Sequence, residues 1–327
     1  MKKILVPMVA LALAGCVGDK CPTAQASACR RDPVEGNWGL KLSYEAMNAG
    51  HMIVSRDAEG KPQALVLWRW ASPVPMNDVK IDGNRFSFEH PWGYTVSGFV
   101  CGSTMKGVAI TKDGVVSAEF EGWRNPPIEP ASTKDAKLCQ PIDLLANGLD
   151  GWELMNPSAR NGWSIRVEDG VKVLSNQLGL KADGSWVGGG ANLKTKRSDF
   201  YDFNLEYDVR VPAKSNSGVY LRGRYECQVV DSYGKAVDCH NMAAYYGRVC
   251  PRVAAEKRPG EWQHVSVTLY RRHLTVVLNG QTIIEDAPVV GITGGAIDAN
   301  EFVGGPIYLQ GDHSDADYRN MILRPAK

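Results

Sequence analysis

The chain has 327 residues, of which 44% are hydrophobic and 22% are charged, so it is long enough for one large or two ordinary domains with normal cores. Lysine and arginine together number 37, and aspartate and glutamate number 36. This near balance gives no reason to expect binding to nucleic acid or to an anionic membrane surface. The 34 glycines and nine tryptophans instead favour a turn-rich β protein with aromatic surfaces.

The N-terminus has the pattern of an export signal that ends at a cysteine. Lys2 and Lys3 precede an apolar run over residues 4–14, which is much shorter than the roughly twenty residues of a membrane-spanning helix. The run ends in LAGC, which resembles the lipobox of bacterial lipoproteins. The resemblance implies a signal peptide over residues 1–15, lipid on Cys16 and a tether over residues 16–31. An ordinary signal peptide with an incidental cysteine is the alternative.

Localisation and redox state follow from this export signal. No aspartate directly follows Cys16, which by the common rule for lipoproteins implies anchoring in the outer membrane, facing the periplasm. An exported protein meets oxidising conditions, so disulfides are expected. Cys227, Cys239 and Cys250 lie close in sequence and provide one bridge, although the sequence leaves open which pair forms it.

Residues 32–125 contain strand-sized runs separated by turn signals. The sequence ALVLWRW at residues 64–70 is one such run. Asp82-Gly83 and Asp113-Gly114 precede two others and are typical of hairpin turns. Strands at this spacing predict a small antiparallel β-barrel or sandwich. The proline-rich stretch that follows predicts a linker over residues 126–141.

Residues 142–327 have the pattern of a second β domain. In the stretch 203–211, Phe203, Leu205 and Tyr207 alternate with polar residues, and the alternation continues to the end of the stretch. Asn279-Gly280 follows another alternating run and indicates a hairpin turn. Long strands with little helical periodicity predict an all-β, two-sheet sandwich.

A series of motifs in this half occurs in a characteristic order. The sequence reads IDLLANGLDGW at 142–152, WSIRVEDG at 163–170, NSGVYLRG at 216–223, YECQVVDSYG at 225–234 and GPIYLQ at 305–310. Together they resemble the 3-keto-disaccharide hydrolase domain family. The resemblance implies a concanavalin-like jelly-roll sandwich and a carbohydrate substrate, the glycosidic bond of a 3-keto sugar. One departure is Gly311, which is inserted where the family reads LQDHG and affects the placement of Asp312 and His313.

Strand alternation predicts which polar side chains converge. Tyr220 and Arg222 share one face of their strand, as do Glu226 and Gln228 of the next strand. The predicted groove of the jelly roll is lined by Tyr220, Arg222, Glu226, Gln228, Asp231, Gln310, Asp312 and His313. Trp186 lies within a glycine-rich loop and is the best candidate for stacking on a sugar. The tryptophans expected in the cores are Trp70, Trp92, Trp152 and Trp163.

The implied reaction requires specific groups. A ketone at C3 acidifies the hydrogen on C2, so removal of that proton allows elimination of the group on C1, and water addition completes a net hydrolysis. Glu226 or His313 is the expected base. Arg222, or a divalent metal held by Glu226, Asp231 or His313, is expected to stabilise the enolate, and no other cofactor is implied. Tyr220, Gln228, Gln310, Asp312 and Trp186 are the expected substrate-binding residues.

Other interpretations stay open at the level of sequence. Arg222 and Glu226 are also compatible with a surface ion pair, His313 with a solvated loop, and Asp231 with a turn. A non-catalytic carbohydrate-binding surface lipoprotein would have the same fold. A binding module, however, is expected to show aromatic rather than titratable groups on this face, and the mixture found here favours an enzyme. No E-x-D-x-x-E signature of the laminarinase-type jelly rolls is present, which disfavours ordinary two-carboxylate hydrolysis.

Overall fold

The computed structural model describes residues 32–327. The predicted signal peptide, the lipidation site Cys16 and the tether therefore lie outside the described residues. In the described part, none of the helices is both long and apolar enough to span a bilayer. Its regular structure is almost entirely antiparallel β, and its short 3-10 helices are Thr133–Asp135 and Gly148–Gly151. The predicted all-β class is confirmed.

The first part of the described chain is one antiparallel sheet. Its strands are β1 (Gly36–Leu42), β2 (Ala49–Arg56), β3 (Pro62–Trp68), β4 (Val74–Pro75), β5 (Asn77–Asp82), β6 (Arg85–His90), β7 (Tyr94–Cys101), β8 (Thr104–Thr111) and β9 (Val116–Arg124). The strand order is β4-β3-β2-β1-β9-β8-β7-β6-β5. Gly83 and Gly114, in the predicted hairpin turns, adopt φ values of 58° and 81°, which glycine tolerates best.

This sheet closes on itself as a barrel. The two strands at its ends, β4 and β5, are consecutive in the chain and separated only by Met76. The Met76 amide donates to the Ala64 carbonyl at 2.8 Å, which joins the end of the sheet back to β3. Trp68 packs edge-on against Phe120, with ring centroids 5.9 Å apart, in a core that also contains Trp38. Of the two predicted architectures, the structure is thus the barrel.

The second part of the chain is a two-sheet sandwich. Its strands are β10 (Ile142–Asp143), β11 (Trp152–Leu154), β12 (Trp163–Glu168), β13 (Val171–Asn176), β14 (Leu193–Thr195), β15 (Phe203–Arg210), β16 (Asn216–Leu221), β17 (Tyr225–Val230), β18 (Gln263–Tyr270), β19 (His273–Leu278), β20 (Gln281–Pro288), β21 (Tyr308–Leu309) and β22 (Ala316–Pro325). One sheet has the order β12-β13-β22-β15-β18-β19-β20, with β10 beside β22, and the other has the order β11-β14-β21-β16-β17.

The core lies between these two sheets. Phe203, Leu205 and Tyr207 of β15 are fully buried, as their alternation predicted. The Tyr207 hydroxyl reaches across the sandwich and donates to the Cys227 sulfur of β17 at 3.4 Å. Burial of each large apolar side chain contributes about 1.5–3 kcal/mol. This apolar inner face forces the alternate residues of the smaller sheet to point outward.

A disulfide joins Cys239 and Cys250 in the long segment between β17 and β18. Of the three cysteines that the sequence offered for a bridge, Cys227 is left as a thiol. It is buried in the sandwich core, and burial raises the pKa of this thiol to about 12. The thiol is therefore protonated and inert at ordinary pH. The disulfide fixes a loop whose residues contact both domains, as described below.

The barrel and the sandwich meet through a buried polar group of residues, the interface cluster: Asn37, His51, Asn125, Arg272 and Glu301. Asn125, just after the barrel, donates to Glu301 Oε1 at 2.7 Å. Arg272 donates to Glu301 Oε2 at 3.3 Å, and His51 is hydrogen-bonded to Asn37. The predicted linker is also held in place, because Thr133 donates to Asp286 of β20 through both its amide and its hydroxyl.

Candidate active site

The outer face of the smaller sheet gathers most of the predicted site residues. Strands β16 and β17 pair so that Tyr220 lies opposite Glu226, and Gly218 lies opposite Gln228. Strand β21 brings Tyr308 beside Tyr220 on the other side. Because alternate residues such as Val219 fill the core, these polar side chains share the opposite face. We call this the polar face.

Glu226 is the most perturbed carboxyl on the polar face. It is only 4% exposed, and burial raises its pKa to about 8 against a smaller opposing effect of the Tyr220 hydrogen bond. The negative charge of Asp312 raises the pKa further. Gly218 makes room for the carboxyl, since a Cβ at that position would collide with Glu226 Oε1. A buried carboxyl with a pKa near neutrality is typical of a general base or acid.

The hydrogen bonds around Tyr220 indicate the same protonation state. Its hydroxyl lies 2.9 Å from Glu226 Oε2 and 2.7 Å from the Gly294 carbonyl oxygen. A phenol has one proton for these two acceptors. Both contacts are satisfied when Tyr220 donates to Gly294 and protonated Glu226 donates to the Tyr220 oxygen. The geometry therefore independently favours a protonated Glu226 in the resting protein.

A second tyrosine completes this part of the site. Tyr308 stacks on Tyr220 with ring centroids 4.1 Å apart and an interplanar angle of 15°. Asn192 donates to the Tyr308 hydroxyl at 3.1 Å, which leaves the phenol proton of Tyr308 for another acceptor. Burial raises the pKa of both phenols well above 10, so both stay protonated. They are neutral hydrogen-bond donors beside Glu226.

Asp312 and His313 lie next to this group despite the inserted glycine. Gly311 is accommodated because its amide donates to Asn192 Oδ1 at 2.7 Å and its carbonyl accepts from Asn176 at 3.1 Å. His313 Nδ1 lies 2.6 Å from Asp312 Oδ1, and this hydrogen bond raises the pKa of His313. The negative charge of Asp312 also raises the pKa of Tyr308, after the larger effect of burial.

A cleft of about 490 Å³ continues the polar face beyond Gln228. Its walls include Lys214, Asn216, Asp231, His240 and Tyr246. Trp186 lies at the Lys214 end, where its indole N–H donates to the Lys214 carbonyl at 2.9 Å. Asp231 accepts from the Lys214 amide. The cleft thus adjoins Gln228, Asp231 and Trp186, three of the residues predicted from the sequence.

Two side-chain oxygens near the cleft can each accept a hydrogen bond from a ligand. Within residues 32–327, Gln310 Oε1 and Asn216 Oδ1 are buried without a hydrogen-bond partner. Gln310 is anchored at its backbone, where its amide donates to the Gly218 carbonyl at 2.9 Å. Buried acceptors without partners are uncommon in folded proteins, and sugar hydroxyls are suitable donors for them.

Arg222 lies apart from this group. Its φ of 55° ends β16 and breaks the alternation that assigned it to the same face as Tyr220. Its guanidinium is buried, donates to the carbonyls of Glu301 and Val303, and stacks over Tyr201. Among the ion pairs between described residues, none joins Arg222 to Glu226. The contacts of Arg222 therefore give no support to a role in stabilising an enolate.

Glu226, Asp231 and His313, which were suggested for a metal, are not brought together as one group of ligands. In the chain from residue 32 onward, no three histidine, cysteine, aspartate or glutamate side chains are grouped to hold one. The carboxyl of Glu226 faces Tyr220, His313 is paired with Asp312, and Asp231 accepts from the Lys214 amide. We therefore derive no step through a metal.

Only two of the four tryptophans that were predicted to lie in the cores are buried there. Trp152 and Trp163 are buried, as expected. Trp70 and Trp92 of the barrel were expected in its core, but they are 46% and 43% exposed. Trp70 follows the end of β3, and Trp92 lies in the turn between β6 and β7, so neither follows the inward alternation of a strand.

Several residues of the site were not among the sequence candidates. Tyr308 is one of them, because its stacking on Tyr220 depends on the pairing of β21 with β16, which are far apart in the chain. Tyr246 and His240 lie in the irregular disulfide-bridged segment, where no periodic pattern indicates direction. Only the aromatic and histidine content of that segment hinted at a role.

These features define a carbohydrate-active jelly-roll protein. The sequence model of a protein family, the 3-keto-alpha-glucoside-1,2-lyase-like domain, matches residues 141–324, which is more than half of the chain. The chain belongs to this family. The match also agrees with the fold and with the motifs that first suggested it.

Solved structures with related folds come from several bacteria. One from Parabacteroides distasonis, provisionally described as a glycosyl hydrolase, is 23% identical with a TM-score of 0.42, and the match covers 62% of this chain and 93% of that one. Another from the same organism is 22% identical with a TM-score of 0.43, covering 57% and 94%. The carbohydrate-binding module CBM66 of Bacillus subtilis is 16% identical with a TM-score of 0.32, covering 53% and 95%. The comparison with curated proteins gives no match.

Proposed function

We propose that the protein cleaves the glycosidic bond of 3-keto-glycosides by elimination, with Glu226 as the base. The observation that carries the proposal is the buried Glu226 carboxyl, whose pKa is about 8, on a face that also presents neutral phenols. Removing a proton from carbon beside a ketone needs a stronger base than an ordinary carboxylate, and a raised pKa provides one. The family to which the chain belongs agrees with this chemistry.

The reaction balances with the residues of the polar face. The Glu226 carboxylate takes the proton from C2, and the electron pair of that C–H bond forms the enolate with its charge on the C3 oxygen. The Tyr308 phenol is a neutral donor suited to hydrogen-bond this oxygen. The enolate then reforms the ketone, a double bond forms between C1 and C2, and the C1–O bond breaks. Glu226 returns its proton to the leaving oxygen, and subsequent addition of water across the double bond gives net hydrolysis.

The proposal predicts selectivity for the oxidised sugar. Purified protein incubated with a 3-keto-disaccharide is expected to release a free monosaccharide, whereas the unoxidised parent disaccharide is expected to stay intact. The reason is that only the ketone acidifies the C2 hydrogen. Chromatography of the released sugars measures both reactions. Binding of either sugar without release would favour the alternative of a carbohydrate-binding protein, and release from both sugars equally would contradict elimination.

The pH dependence of catalysis is a second expectation. With a pKa near 8, about one tenth of Glu226 is ionised at pH 7 and about nine tenths at pH 9. We therefore expect kcat/KM to rise about tenfold across this interval. Asp312→Asn removes a charge that raises the pKa of Glu226, so it is expected to move the midpoint to lower pH. A profile that is flat from pH 6 to 9 would argue against Glu226 as the base.

A further inference from the structure

A loop of the barrel reaches the polar face of the sandwich. Residues 69–73 connect β3 to β4, and this loop contacts the segment around Gly294. The Arg69 carbonyl accepts from the Gly295 amide at 2.9 Å, and Ser72 Oγ lies 2.8 Å from His240 Nε2. A Cβ on Gly294 would collide with the backbone of Ala71. The barrel and the sandwich are therefore packed backbone to backbone at this point.

The conformation of this loop is held by the barrel. Arg69 and Ala71 have φ values of 78° and 62°, a backbone region that is strained for residues other than glycine. The Arg69 guanidinium donates to the Met47 and Ala46 carbonyls, and it stacks between the rings of Tyr44 and Trp70. Backbone strain that is stabilised in this way is frequent at functional sites. Here it presents Trp70 with 46% of its surface exposed.

One layer of residues separates the loop from Glu226. The Gly294 carbonyl that lies against the loop accepts from the Tyr220 hydroxyl, which contacts Glu226. On the other side, Ser72 holds His240, whose ring packs edge-on against Tyr246 with centroids 5.0 Å apart. Tyr246 and His240 are walls of the cleft beyond Gln228.

We propose that the barrel completes the substrate site and that Trp70 is the stacking platform for the second sugar unit of a disaccharide. This inference rests on the proposed function, because it assigns a subsite of the same site. The cleft of about 490 Å³ that His240 and Tyr246 help to line has room for a sugar ring, and Ser72 of the loop holds His240. An exposed indole offers a large flat apolar surface at low entropic cost. The Arg69 guanidinium lies 4.3 Å from the centroid of the Trp70 ring, so a stacked sugar would use the opposite face of that ring.

A comparison of two substrates distinguishes binding of the second sugar by Trp70 from a purely structural role of Trp70. Trp70→Ala is expected to raise KM about tenfold for a 3-keto-disaccharide, with kcat little changed. The same variant is expected to leave KM unchanged for methyl 3-keto-α-glucoside, which lacks the second sugar. Trp92→Ala is the matched control, since Trp92 is 43% exposed on the same barrel and is expected to change neither KM. Equal KM values of Trp70→Ala and wild type for the disaccharide would overturn the inference, as would equal increases for both substrates.

A binding measurement keeps this test independent of catalysis. Calorimetric titration of trehalose, an unoxidised disaccharide, into wild-type protein and into Trp70→Ala reports the subsite even when no turnover occurs. Weaker binding by Trp70→Ala, with Trp92→Ala like wild type, supports the platform. Failure of the wild type to cleave any 3-keto sugar would remove the proposed function alone. Lack of disaccharide binding to the wild type, or equal binding by all three proteins, would overturn the platform.

Discussion

Glu226→Gln is expected to lower kcat/KM for a 3-keto-disaccharide by about 10²–10⁴, because positioned general bases contribute rate factors of that order. The amide has nearly the same shape as the carboxyl that it replaces, and it still reaches the Tyr220 hydroxyl. It cannot accept the C2 proton, so the elimination loses its first step. Steady-state rates of sugar release measure the effect.

The stability of this variant provides its own control. The folded-state pKa of Glu226, about 8, lies above its ordinary value of 4.5, so the native protein binds the extra proton between these values. The stabilisation that this proton gives is fully present below pH 4.5 and is lost progressively as the pH rises to about 8. Glu226→Gln has no such loss and is expected to be more stable than wild type at pH 8.5.

A surface carboxyl makes the comparison specific. Glu206 pairs with Arg324 on the outer face of the larger sheet, with both side chains partly exposed. Glu206→Gln is expected to keep wild-type turnover and the wild-type dependence of stability on pH. If Glu226→Gln retained full turnover, Glu226 would have no part in the mechanism. If it lost turnover together with its fold, the unfolding curve at pH 8.5 would reveal this directly.

The sequence predicted those features of the structure that depend on residues close together in the chain. The alternation of β15 and the pairing of polar residues in β16 and β17 are local, and they predicted both the core and the position of Glu226. The barrel depends on the pairing of β1 with β9, about eighty residues apart, and on closure at the end strands β4 and β5, and strand patterns alone do not distinguish this arrangement from a sandwich.

The same argument explains the residues that were misplaced or missed. Arg222 satisfies the alternation rule in sequence, but the rule ends where the backbone adopts a positive φ, and nothing in the neighbouring residues except Gly223 indicated this. Trp70 follows an apolar run and looked like a core residue, yet it lies just beyond β3 in a loop. The hydrogen bond between Ser72 and His240 joins residues of different domains. Periodic sequence patterns indicate the faces of single strands and cannot predict such a contact.

The interface cluster is the basis of the second large expected effect. Glu301 is completely buried, and its carboxylate accepts from Asn125, Arg272 and the Tyr225 hydroxyl. Burial raises its pKa, while the charges of Arg272 and other buried arginines oppose that rise. His51 beside it has a pKa well below 6.5 because it is buried and near Arg248 and Arg272, so it is neutral. Glu301 is the carboxyl that pairs with the buried Arg272 guanidinium.

Glu301→Ala is expected to lower the free energy of unfolding by about 3–5 kcal/mol, because removing one partner leaves a buried guanidinium without its counter-charge. Urea unfolding at neutral pH measures this. Glu285→Ala is the matched control, since Glu285 bridges Lys134 and Arg252 at the surface and exposed pairs contribute only about 0–1 kcal/mol. A smaller loss for Glu301→Ala than for Glu285→Ala would mean that apolar packing, rather than the interface cluster, holds the barrel against the sandwich. A larger loss would show that the buried carboxyl of the interface cluster contributes more to stability than a surface ion pair does.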